Sequence, residues 1–75
     1  MVIVGLIVEL NETADPELAD TLQKRPHVTV QKAGRRRITL VLDTDDIHVI
    51  AENTHEISEM KGVKGVFPIF SGSVF

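Results

Sequence analysis

The chain has 75 residues, 43% of them hydrophobic and 25% charged, with a formal net charge of -3. That is one domain of about two layers of secondary structure, and the charge balance argues against general nucleic-acid binding, where a basic face dominates affinity. Cysteine is absent, which excludes disulfides, thiolate nucleophiles and Cys-held metals, and the only aromatics are Phe67, Phe70 and Phe75, which offer no base-stacking platform.

Residues 2–10, "VIVGLIVEL", are rich in β-branched side chains and predict the first strand. The apolar run ends at Glu9, too short to span a bilayer, and it lacks the basic segment and cleavage site of a secretory signal. A soluble cytoplasmic protein is expected. "NETADPEL" follows, with Asp15 suited to an N-cap and Pro16 to the first helical position. Leu18, Leu22 and Arg25 share one side of the helix, Ala19 sits at its edge, and Pro26 closes it.

"HVTVQK" alternates, placing Val28 and Val30 together on a second strand. "AGRRR" turns the chain, and "RITLVLD" is a third strand with Ile38, Leu40 and Leu42 on one face and Thr39 and Val41 on the other. The short connection makes these two a hairpin. A second helix spans "TDDIHVIAENTHEISEMKG": Thr44 or Asp45 caps it, and Ile47, Ile50, Thr54, Ile57 and Met60 form its buried stripe, with Val49 beside it. Gly62 is the expected C-cap glycine, and "VKGVFPIF" is the fourth strand.

The order β-α-β-β-α-β predicts an α+β, ferredoxin-like domain over residues 1–75. It has a four-stranded antiparallel sheet, with strands one and three central and both helices on one face. Val4, Leu6, Val8, Val28, Val30, Ile38, Leu40, Leu42, Val63, Phe67 and Ile69 are assigned to the core beneath the helices. The other face then carries Ile3, Gly5, Ile7, Thr39, Val41, Val66, Pro68 and Phe70. That face should be wet, yet it reads as mostly apolar, which marks an interaction surface for a partner or a second copy.

Few residues point to chemistry. His48, Glu52 and His55 align on the second helix, with Glu59 extending the line, but they lie opposite Ile50 and Ile57 and read as its solvated side. His27 reads as a loop-end residue. Arg35, Arg36 and Arg37 form a basic hairpin tip, read as a solvated turn that blunts a sheet edge. Glu9, Glu12, Asp15 and Glu17 gather near the end of strand one, and Asp43, Asp45 and Asp46 near the end of strand three, so the two acidic groups fall at opposite ends of the sheet. "GVKG" precedes a strand instead of a helix, which disqualifies it as a phosphate cradle. With no nucleophile–base set or facing carboxylate pair, an enzyme is not expected.

"VGLIVEL", "RPHVTV", "ITLVLD" and "MKGVKGVFPIF" together make the chain resemble the NapD family, assembly chaperones of the periplasmic nitrate reductase catalytic subunit. The resemblance covers nearly the whole chain. It implies a cytoplasmic chaperone that holds the twin-arginine signal peptide of the reductase precursor, as a helix, on the open sheet face and restrains export until the molybdenum cofactor is inserted in the client. The chaperone itself needs no cofactor, metal, nucleic acid or membrane insertion. Carried over by position, the peptide-binding residues are Ile3, Gly5, Ile7, Thr39, Val41, Val66 and Phe70, with Gly5 allowing close approach of a helix. Phe70 stands where the family often has tyrosine, Pro68 lies inside an edge strand, and the triple arginine departs from the usual short hairpin. The alternatives are a homodimeric domain similar to the ACT or amino-acid-responsive regulators, with Gly62 and Gly65 in ligand loops, and a minor subunit docked permanently through the open face.

Overall fold

The computed structural model describes residues 3–69, as β1 (Ile3–Leu10), α1 (Leu18–Gln23), β2 (Val28–Ala33), β3 (Arg37–Asp43), α2 (Ile47–Ser58) and β4 (Val63–Ile69). The strands form one antiparallel sheet in the order β2-β3-β1-β4. This is the α+β ferredoxin-like arrangement, with β1 and β3 central. Alternation along the two central strands buries Val4, Leu6, Val8, Ile38, Leu40 and Leu42 under the helices, and Leu18 and Leu22 of α1 and Ile57 of α2 close over them. Leu10 joins this core from the end of β1.

The start of α1 is looser than its sequence predicts. Asp15 does accept the Glu17 N–H through Oδ1 at 2.8 Å, but that bond stabilises a turn, and regular helix begins only at Leu18. Arg25, expected on the buried side, is half-buried and links the two helices: its Nε donates to Asn53 Oδ1 at 2.9 Å, and its guanidinium pairs with Glu56. Asn53 is the one buried polar side chain among the described residues, and its Nδ2 donates to the Val49 carbonyl at 2.9 Å. Both ends of its amide are thus satisfied, as a buried polar group requires. Because Asn53 lies one turn from both Ile50 and Ile57, the helix period places it on the core side although its chemistry reads as surface.

The cap of α2 is Asp46, not Thr44 or Asp45: its Oδ1 accepts the His48 N–H at 2.8 Å, while Thr44 Oγ1 receives the Asp46 N–H at 3.1 Å. The helix therefore starts later, and Ile47, expected in the buried stripe, stands 72% exposed at its first position. Asp46→Ala should lower the urea midpoint of unfolding by the equivalent of about 1 kcal/mol, with an unchanged m-value. An unaltered midpoint would show that the cap contributes nothing.

At the other end, α2 finishes at Ser58 with Glu59 as its C-cap, so Gly62, expected to cap the helix, lies three residues beyond the cap and instead carries the chain into β4 with φ at +89°. A Cβ on Gly62 would overlap the Ala14 Cα and stand 2.7 Å from its nitrogen. The Gly62 carbonyl also accepts the Asn11 N–H at 2.9 Å. The glycine thus both turns the chain and admits the β1–α1 loop against it. His27 likewise adopts φ of +67°, and its carbonyl takes the Asp43 N–H at 2.9 Å, tying the start of β2 to the end of β3.

The faces of β4 are the main correction. Pairing with β1 runs Gly5–Ile69, Leu6–Pro68, Ile7–Phe67, Val8–Val66 and Glu9–Gly65, then shifts, so that Leu10 pairs with Val63. Lys64 is the extra residue of a β-bulge. An inserted residue exchanges the faces of everything beyond it. Val63 therefore points to the core as expected, but beyond Lys64 it is Val66 and Pro68 that lie on the helix side. Phe67 and Ile69, expected in the core, are 52% and 43% exposed on the opposite face.

Candidate functional site

The face of the sheet away from the helices is built in rows across four strands. Residues directly opposite each other in an antiparallel ladder share a face. One row runs Thr29–Val41–Gly5–Ile69, the next Lys32–Thr39–Ile7–Phe67, and the last Arg37–Glu9–Gly65 on the three strands that reach it. The first two rows carry an apolar centre of Val41, Ile7, Ile69 and Phe67 that no element among the described residues covers. Ile7 and Val41 are half-buried by their neighbours in the sheet itself.

A depression of about 250 Å³ opens in this face between Gly5, Val41, Thr39, Gln31 and Ile69. It exists because Gly5 has no side chain. A Cβ there would meet the Ile69 carbonyl oxygen at 3.4 Å and the Ile69 Cβ at 3.8 Å, which are ordinary contacts. The fold does not demand glycine at this position, so the trough is a property of the surface alone. At the neighbouring row the Phe67 ring folds back over Gly65, with Cζ 3.1 Å from where a Cβ would stand. The ring thus lies flat along the face and extends its apolar centre towards the hairpin end.

Of the residues carried over to this face, Gly5, Ile7, Thr39 and Val41 are brought together. Ile3 pairs with Asp43 at the far end of β1. Val66 is not on the face: opposite Val8, it packs against the core from the helix side. Phe70 lies outside the described residues. Phe67 and Ile69 take the places expected for Val66 and Phe70. The readable hint was Gly65, since glycine inside a strand often accompanies a bulge.

Charge is unevenly spread around the face. At the hairpin end a second depression, of about 510 Å³, is lined by Lys32, Arg35, Arg36, Arg37 and Lys64, with Glu9 the single carboxylate. Arg37 pairs with Glu9 at 3.2 Å and Arg36 with Glu12 at 3.8 Å, both at exposed positions. Glu9 at this end and Asp43 at the other lie at opposite ends of β1–β3 pairing, as expected. On α2 the only charged contact of the histidine line is His55 Nε2 to Glu59 at 3.6 Å, and the described residues contain no group of three metal-ligating side chains. No helix among the described residues is long and apolar enough to cross a membrane.

Comparison with protein-family models, with curated proteins and with solved structures finds no match.

Proposed function

We propose that the chain is a binding protein that docks an amphipathic helix of a client on its open sheet face. Following the NapD resemblance, we take the client to be the twin-arginine signal peptide of a periplasmic nitrate reductase precursor, held in the cytoplasm until its molybdenum cofactor is in place. The observation that carries this reading is the row structure of the face, with apolar Val41, Ile7, Ile69 and Phe67 contiguous across three strands beside a trough at Gly5. A helix laid across such a surface buries its apolar stripe, and a missing side chain lets its backbone approach. The reading assigns no catalysis.

The ACT-like alternative draws less support. Gly62 is pressed against Ala14 and Gly65 lies under the Phe67 ring, so both glycines serve packing instead of a ligand loop. Calorimetric titration with the reductase signal peptide should show saturable one-to-one binding to a monomeric protein. Absence of binding, or a protein that elutes as a dimer through the same face, would defeat the proposal.

A further inference from the structure

Five of the eight lysines and arginines in the chain line the single depression at the hairpin end of the open face, in a protein whose net charge is -3. Their sequence positions do not announce this. The arginines are adjacent on the hairpin tip, but Lys32 comes from the end of β2 and Lys64 from the bulge of β4, on the opposite edge of the sheet. The β2–β3 register brings Lys32 opposite Thr39, after an extra residue at Gln31, and the β4 bulge supplies Lys64. Both irregularities thus feed the same rim.

Among the described residues Lys32, Arg35 and Lys64 have no acidic partner within ion-pair distance, and the pairs that Arg36 and Arg37 make are exposed. Exposed pairs are each worth less than about 1 kcal/mol, so a ligand can displace them at little cost. Guanidinium groups in a cluster favour oxyanions, which they bind in a fork.

The depression is also continuous with the apolar rows, because Thr39 lines both it and the trough beside Gly5. An occupant that fits both parts has an apolar body and an anionic end. A free inorganic anion would leave the apolar rows unused, and a nucleic acid would find a single ring, Phe67, where base-reading sheets stack two or three bases. We infer that the rim formed by Lys32, Arg35, Arg36, Arg37 and Lys64 receives the acidic end of the protein segment that docks on the open face, and so fixes the direction in which that segment lies. The inference rests on the docking reading above, and in those terms it turns the arginine-bearing end of a signal peptide away from the hairpin, towards Asp43.

The test uses the full chain, isotopically labelled, and two synthetic helical peptides with the same apolar stripe, one ending in a tri-glutamate tail and the other in tri-glutamine. The glutamate peptide should bind about tenfold more tightly at low salt, as roughly three weak ion pairs imply. The advantage should fade at high salt. Amide shifts specific to it should map to residues 32–39 and 64. The double variant Lys32→Gln/Lys64→Gln changes only exposed side chains, and it should bring the two peptides close together. Equal binding of both peptides on the apolar rows overturns the rim inference and leaves the docking reading standing. Binding of neither peptide overturns the inference, while the signal-peptide titration still judges the docking reading by itself. Tighter binding of tripolyphosphate than of the glutamate peptide overturns the protein-segment assignment in favour of a phosphate ligand.

Discussion

Gly62→Ala is expected to be strongly destabilising to this domain. The new methyl group would overlap the Ala14 backbone, and the residue would have to hold φ at +89°. Left-handed backbone costs an L-residue about 1–2 kcal/mol, and overpacking against a segment that cannot yield adds about 1–3 kcal/mol. A domain of this size is stable by only about 4–11 kcal/mol. A loss near 3 kcal/mol corresponds to a fall in Tm of roughly 15 °C. Gly5→Ala is the internal control, since its methyl group meets only ordinary contacts and should leave Tm within a few degrees while narrowing the trough. Should both variants melt together with the parent, the close packing of the β1–α1 loop on Gly62 is wrong.

On the proposed docking, Ile7→Glu is expected to weaken signal-peptide binding by at least about 100-fold, because a docked helix would bury a carboxylate among Phe67, Thr39 and Val41 in place of an apolar contact. Ile7 is half-exposed in the free protein, so its fold should lose no more than about 1 kcal/mol. Val66→Ala is the complement: it trims a side chain packed against the core from the helix side, so it should lower stability and leave affinity unchanged. A crossed pattern, with Val66→Ala weakening binding and Ile7→Glu not, would mean that the client does not sit on the open face.

These two tests also mark where the sequence was readable. The element order followed from β-branched runs and helical periodicity, the hairpin from its short connection, and the faces of β1 and β3 from the two-residue strand period, because neither central strand has an irregularity before its last residues. Gly62 reads as the C-cap of α2, and its place after an amphipathic helix does mark a position that needs glycine, although the cap itself is Glu59. The faces of β4 were not. "VKGVFPI" alternates plausibly in one frame throughout, and only the backbone pairing shows that the frame changes at Lys64. The same limit hid the basic rim. Three arginines in a row look like a solvated tip, and their convergence with Lys32 and Lys64 depends on cross-strand register that no local pattern records. The buried role of Asn53 went unread for a different reason: its partner, Arg25, is 28 positions away and next to another helix.

Both outer strands of the sheet carry an interruption, an extra residue at Gln31 in β2 and at Lys64 in β4, and β4 also contains Pro68, which has no amide hydrogen to offer. Such margins are poor templates for adding another strand. The apolar plane of the sheet can therefore stand uncovered with little tendency for copies to zip rim to rim into a growing ribbon.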